Sequence, residues 1–382
     1  MTSLPPVPRY GDASLADVMP SVLAALGVGE DNRLGLEPTA RAVVVLIDGM
    51  GLVGLRARAD AAPVLSAMTC RELTAGFPST TVTSLASLST GVPAGEHGLT
   101  GYSSYVEQVG EPVNWLSWRQ VSGRDDLREE LAPETVQVHE TVWQQAADAG
   151  VAVTIASSRD FEGTGLTRAV FRGGSFRGVT TGGDMVALAA DAADRGHRSL
   201  VYTYAAELDF VGHVRGPDSD SWAAQLALID KRIELLVQRL PAGTTVYVTA
   251  DHGMAMVPQE ETVDADEDHS PLRDGVVAIA GEPRMRHVHA RPGAGADVLA
   301  TWHNVLGERA WVMSGDDAVR SGLFGPVVSA DARARIGDVV AISRGGLGIV
   351  QRKRESRLSA LPGHHGALTD DELLVPLLSM SV

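Results

Sequence analysis

The chain has 382 residues, enough for more than one layer of core, with 44% hydrophobic residues and a formal net charge of −16. That charge excludes nonspecific wrapping of a nucleic-acid polymer, which needs a basic footprint. No apolar run reaches the ~18–20 residues of a membrane span, and the first residues lack the basic-then-apolar pattern of a secretory signal. The one cysteine, Cys70, excludes an internal disulfide, and with the missing signal it leads us to expect a cytoplasmic protein.

Taken in chain order, β-branched runs without polar alternation predict buried strands at 42–47, 151–156, 199–205 and 245–250. Helical periodicity predicts helices near 140–149, 183–195 and 219–240. The alternation implies a mostly parallel sheet covered by helices. The first strand runs into DGMGLVG, where Gly49, Gly51 and Gly54 match a dinucleotide-binding spacing. Asp48 would there repel a pyrophosphate, and the pattern leaves the later Asp and His residues unexplained.

FPSTTVTSLASLSTG, 77–91, follows. Its Ser79, Thr80 and Thr81 are helix-start chemistry. One reading is an N-cap; the other is a nucleophile at a helix N-terminus, where N–H groups attract phosphate. The segment 99–125 then concentrates Tyr102, Tyr105, Trp115 and Trp118, whose rings either pack a cap or stack on a base.

Three of the predicted strands reach an acid as they end: Asp48, Asp209 in ELDFVGH, and Asp251 in TADHG. In open α/β sheets the binding crevice lies at the carboxyl ends of the strands. Three carboxylates gathered there repel one another and need a positive partner. No lysine or arginine lies within two residues of any of them, whereas His213 and His252 are close in sequence. Asp with His is ligand chemistry for a divalent cation.

The acidic stretch 263–275 breaks the rhythm. Asp264, Asp266 and Asp268 begin like a calcium loop, but His269 stands where its glycine is required, so we read a solvated loop. The basic alternation RMRHVHAR, 284–291, reads as a strand with a wet face or as a contact to a second phosphate. Residues 258–349 are expected to form an inserted smaller α+β cap subdomain, with 1–257 and 350–382 forming the catalytic body.

The elements VVVLIDGMG, FPSTTVTSLASLSTGVPAGEHGL, ELDFVGHVRGPDS, VTADHGM and GHHG occur in this order. Together they resemble the alkaline phosphatase superfamily and, within it, the nucleotide pyrophosphatase/phosphodiesterase family. The resemblance implies a doubly wound, mostly parallel α/β fold with helices on both faces. It implies two divalent ions, manganese or zinc: one held by Asp209, His213 and His365, the other by Asp48, Asp251 and His252. His364 is the near miss for the first ion.

Thr81 matches the family's nucleophile, which also contacts metal and passes through a phosphothreonine. Ser79 and Thr80 are then left for capping and the approach loop, and His97 shapes a loop without being a ligand. Where the family has an asparagine that holds a phosphate oxygen, this chain has Ser84. The expected partner is a small nucleotide, with Tyr102, Tyr105, Trp115 and Trp118 near it; neither a nucleic-acid polymer nor a membrane is expected, and a monomer is favoured.

The sequence is most similar to the bacterial cytoplasmic branch, which includes a cyclic di-AMP phosphodiesterase. The implied reaction opens cyclic di-AMP to pApA and then AMP. Alternatives are a nucleotide pyrophosphatase, a phosphomonoesterase or a phosphonate hydrolase; a dinucleotide-binding protein without turnover explains least.

Overall fold

The structure, a computed structural model, describes residues 4–123 and 125–382. Residues 1–3 of the N-terminal stretch and Arg124 of the 99–125 segment lie outside the described residues. The main sheet has seven strands: β1 (Arg41–Ile47), β2 (Thr69–Thr74), β3 (Ala152–Ser158), β4 (Ser175–Val179), β5 (Ser199–Ala205), β6 (Thr244–Thr249) and, after the smaller sheet described below, a last strand, Leu374–Ser381. β1 lies between β5 and β6 and is parallel to both. Six of its seven residues are buried, which is why its sequence shows no polar alternation.

The register levels the strand ends. Ile47 pairs with Ala205, and Leu46 with Thr249. Asp48, Asp251 and Asp209 therefore leave the sheet at one edge. The connection after β1 depends on two glycines. A Cβ on Gly49 (φ +72°) would stand 2.9 Å from Asp209 Cα, and one on Gly51 would stand 2.6 Å from Gly253 Cα. The glycines that mimic a dinucleotide fingerprint thus let the acid-bearing loops approach one another.

Helix α1 (Thr81–Thr90) ends at Gly91 in the left-handed region. Helices α2 (Gly182–Ala193), α3 (Glu207–Arg215) and α4 (Asp220–Val237) follow β4 and β5. No helix among the described residues is long and apolar enough to cross a membrane.

Between β6 and the last main-sheet strand, a four-stranded antiparallel sheet forms from β7 (Val276–Glu282), β8 (Met285–Ala290), β9 (Ala310–Ser314) and β10 (Val339–Ser343), in the order β7-β8-β10-β9. Helix α5 (Gly295–Leu306) packs on it. Val288, Val298, Trp302, Leu306 and Val339 belong to an apolar cluster separate from the main core.

The strand Leu374–Ser381, here β11, lies between β2 and β6 and is antiparallel to both. It is not evident in the sequence because Pro376 interrupts it. The Pro376 carbonyl accepts from Thr249 Oγ1, so the side of the residue without an N–H faces β6, beyond the last pair, Leu377 with Thr249. The missing donor therefore breaks no ladder bond there.

Candidate active site

At the common strand edge, two groups of three potential ligands form. Asp209, His213 and His365 bring their ligand atoms within 4.8 Å of one another, and so do Asp48, Asp251 and His252. The rings of His252 and His365 stack at 3.6 Å, placing the groups side by side.

The three imidazoles share one hydrogen-bonding pattern. Nδ1 lies 2.7 Å from Gly363 O in His213, 2.9 Å from Gly253 O in His252 and 3.0 Å from Ser79 O in His365. Each Nδ1–H donates to a backbone carbonyl, which leaves the Nε2 lone pair turned towards the carboxylates. His213 Nε2 is 3.4 Å from Asp209 Oδ2, and His365 Nε2 is 3.9 Å from Asp209 Oδ1. His252 Nε2 is 3.5 Å from both Asp48 Oδ1 and Asp251 Oδ2. His364 turns its Nε2 to Leu361 O instead and belongs to neither group.

Two of the carboxylates are tethered on one oxygen and free on the other. Asp48 Oδ2 accepts from the Tyr204 hydroxyl. Asp251 Oδ1 accepts from the N–H groups of Gly49 and His252. Asp48 Oδ1, Asp209 Oδ1 and Asp251 Oδ2 are buried without a hydrogen-bond partner. Such oxygens are costly unless an ion or a ligand completes them. Burial, then the facing Asp251 and Asp209, push the Asp48 carboxyl well above the ordinary carboxylate range. Burial likewise raises Asp209, against the pull of His213 and His252, and lowers His365 well below the usual imidazole range. Orphaned carboxylate oxygens beside imidazole lone pairs fit divalent cations in both groups.

Thr81 is the first residue of α1 and points its Oγ1 to within 3.2 Å of His252 Nε2. Its neighbours do not cap the helix. Thr80 occupies the N-cap position but donates its hydroxyl to Glu282 Oε2 at 3.1 Å. Ser79 donates to Ala367 O and accepts from Gly366 N–H. The expectation that these hydroxyls cap the helix is therefore corrected: both tie the loop to distant segments. The first N–H groups of α1 are left without a side-chain cap beside Thr81, a setting suited to an anion.

A cleft of about 290 Å³ opens beside Thr81, Asp48 and Asp209. A family model described as type I phosphodiesterase / nucleotide pyrophosphatase matches residues 42–368. The chain belongs to that family. It is accordingly a hydrolase of the phosphodiesterase class within the alkaline phosphatase superfamily. Among solved structures, murine ectonucleotide pyrophosphatase / phosphodiesterase 5 aligns at 16% identity with a TM-score of 0.69, covering 88% of this chain and 87% of that one. An inactive form of that murine protein in complex with AMP aligns at 15% identity and the same TM-score, over 88% of this chain and 87% of that one. Phosphonoacetate hydrolase from Sinorhizobium meliloti, in complex with phosphonoformate, aligns at 19% identity with a TM-score of 0.66, over 90% of both chains. These likenesses establish the alkaline-phosphatase-like fold. A search of curated proteins finds no match.

Ser84 is fully buried and donates to the Asp251 carbonyl at 2.7 Å. It holds the loop that carries Asp251, and its hydroxyl is turned to that carbonyl. None of Tyr102, Tyr105, Trp115 and Trp118 lines the cleft. Trp115 and Trp118 are fully buried against each other, with Trp118 Nε1 bonded to Leu131 O. Tyr102 accepts from Asn114, and Tyr105 packs on His289. Trp115 and Trp118 thus fill a core under the segment, whereas Tyr102 and Tyr105 are partly exposed away from the cleft.

The cleft's aromatic residues are Phe161, Phe171, Tyr202, Tyr204 and Phe210. Only Phe210, adjacent to Asp209, carried a positional signal; Phe161 and Phe171 belong to no motif. His97 is buried, accepts from Leu99 N–H and bonds Ser87, as a loop-shaping residue should. The basic strand is neither a wet face nor a phosphate contact. Arg284 is fully buried on Glu372, and Arg286 is paired with Glu355. In the acidic loop, Asp264, Asp266 and Asp268 are met by Arg352, Arg354 and Lys353.

Proposed function

We propose that Asp209, His213 and His365 hold one divalent cation and Asp48, Asp251 and His252 a second, manganese or zinc, and that Thr81 is the nucleophile of a nucleotide phosphodiesterase. The cations supply Lewis-acid stabilisation of the phosphoryl group. The chain's own part is positional. Thr81 Oγ1 attacks phosphorus, the bond to the leaving oxygen breaks in line with it, and the threonine proton passes through solvent to that oxygen, which departs as an alcohol. The product is a phosphothreonine ester, which water then hydrolyses. The uncapped N–H groups of α1 can donate to a non-bridging oxygen as its charge grows.

The observation that carries the choice of a diester is the cleft wall. Among the described residues it contains no lysine or arginine; apart from Asp48 and Asp209, its side chains are apolar, aromatic or hydroxyl-bearing. At the attacked phosphorus a monoester carries two charges, and a phosphonate carboxylate adds one beside it, which such a wall does not meet; each phosphodiester group carries one. Phe161 and Phe210, 38% and 67% exposed, offer faces to a nucleobase. We propose cyclic di-AMP as the substrate, opened to pApA and then AMP. The volume of about 290 Å³ suits a single nucleoside and so favours, as a second reading, a linear dinucleotide or nucleotide pyrophosphate. We also propose that residues 258–349 are a cap inserted into the catalytic body, and that the enzyme works in the cytoplasm.

The test compares bis-p-nitrophenyl phosphate with p-nitrophenyl phosphate. Cyclic di-AMP, cyclic di-GMP, pApA and a dinucleotide polyphosphate follow, with products separated by chromatography. Faster diester turnover and AMP formed through pApA are expected. Preference for the monoester contradicts the diesterase reading, and an inert cyclic substrate beside a rapidly cleaved pyrophosphate removes cyclic di-AMP.

A further inference from the structure

Strand β7 ends in Glu282, which is 4% exposed and has no place in the ligand groups. Its Oε2 accepts from Thr80 Oγ1 at 3.1 Å and lies 3.5 Å from His365 Nδ1. Its Oε1 has no hydrogen-bond partner. The nearest strand arginine of its own sheet, Arg286, is committed to Glu355 and Ile349 O. Gly366 makes the approach possible: at φ +122°, a Cβ there would stand 2.8 Å from the Glu282 carboxyl carbon. A buried acid from the 258–349 segment thus touches both the residue before the nucleophile and a ligand histidine.

We propose that Glu282 is a positioning residue, which keeps the Thr80 hydroxyl off the N-terminus of α1 and steadies His365 in its ligand orientation. The inference rests on the reading of His365 as a ligand and Thr81 as nucleophile. Its two arms follow from geometry. A threonine at an N-cap ordinarily satisfies the N–H two or three residues on; here that hydroxyl is turned to Glu282, leaving the N–H groups beside Thr81 for a phosphoryl oxygen. His365 Nδ1–H has Ser79 O at 3.0 Å as its main acceptor, and Glu282 closes the other side. Outer partners of ligand histidines typically alter metal affinity by about 10–100-fold.

The experiment measures the affinity of both ions by chelator competition with Mn²⁺ and Zn²⁺, together with kcat/KM on bis-p-nitrophenyl phosphate. It compares wild type, Glu282→Ala, Glu282→Gln, and Glu282→Ala combined with Thr80→Val. Glu282→Ala should weaken one ion about tenfold, leave the other unchanged and lower kcat/KM. Glu282→Gln, whose amide oxygen still accepts from Thr80, should recover part of the loss. Adding Thr80→Val to Glu282→Ala should recover part of kcat/KM without restoring the ion, because the freed hydroxyl can no longer cap α1. Should Glu282→Ala not fold, Glu282→Gln bears the prediction of selective loss at one ion, about threefold or more. Two ions in wild type, with both affinities and kcat/KM unchanged in the folded variants, overturn this inference alone. A wild type that binds no ion overturns the ligand reading and this inference with it.

Discussion

Two regions of the molecule bury charge, and they do so in opposite ways. In the smaller sheet, Arg284 and Arg286 are fully enclosed and satisfied. Arg284 meets Glu372 through two bonds of 3.0 and 2.7 Å and donates a third to Leu347 O. Arg286 meets Glu355 at 3.2 and 2.7 Å and donates to Ile349 O. At the edge of the main sheet, Asp48, Asp209 and Asp251 face one another, each with an oxygen that no donor reaches. The first arrangement completes itself and is structural. The second is incomplete as protein alone, and that incompleteness marks a site for ions and substrate. A row of basic residues in a sequence is therefore a poorer guide to phosphate chemistry than acids that lack partners.

The comparison breaks most visibly at Thr81, the proposed nucleophile. Thr81→Ala should cut turnover by at least about 10⁴-fold while both ions stay bound; Thr80→Ala should be far milder. Steady-state kinetics with metal analysis checks this, and a dead Thr80→Ala beside an active Thr81→Ala would shift the nucleophile by one residue. Asp251→Asn should remove one ion and lower kcat by more than about 10²-fold, since even outer partners of ligands contribute 10–100-fold.

Stability should move in opposite directions in the two regions. Glu355→Ala strands the Arg286 guanidinium and should destabilise the fold by about 3–5 kcal/mol. Asp48→Asn in chelated protein should instead stabilise it, by on the order of 1–4 kcal/mol, because it removes a like charge facing Asp251 and Asp209. Urea denaturation in EDTA measures both; a loss of stability in Asp48→Asn would mean that the carboxylates are satisfied without ions.

Smaller effects sharpen the picture. Phe161→Ala and Phe210→Ala should each raise KM for a nucleotide diester about tenfold with little loss of stability, since both rings are partly exposed. Trp118→Ala should chiefly destabilise. His97 has its imidazole pushed down to about 3 by burial. The unfolded ring takes up its proton near pH 6.5, whereas the folded ring resists until about pH 3. Its contribution is therefore full above pH 6.5 and is lost as pH falls towards 3, by about 1.4 kcal/mol per pH unit. Denaturation at pH 7 and pH 5 should show a shallower pH slope in His97→Gln.

Much of this site could be read in the sequence because its proposed ligands sit where strands end. Asp48 follows β1 directly, Asp251 lies two residues past the end of β6, and Asp209 and His213 occupy one face of α3; His365, far along the chain, came only with the family resemblance. The strands with unbroken apolar runs were legible for the same reason. β2, β4 and β11 were not: β2 carries Arg71 and Glu72 at one edge, β4 carries Arg177 and Gly178 at the other, and β11 runs through Pro376. Contacts made by folding distant segments together also left no local trace. Glu282 reaches Thr80 across 202 residues and Glu372 reaches Arg284 across 88. Of the two readings open for the aromatic segment, Trp115 and Trp118 take the packing one, while Phe161 and Phe171 reach the cleft from a stretch without a motif.

The most direct test counts ions. Protein loaded with Mn²⁺ or Zn²⁺ and freed of excess should carry about two divalent ions per chain, falling to about one in Asp209→Asn and, through loss of the other ion, to about one in Asp251→Asn. Wild-type protein that carries none, and turns over bis-p-nitrophenyl phosphate at full rate in EDTA, would contradict the account.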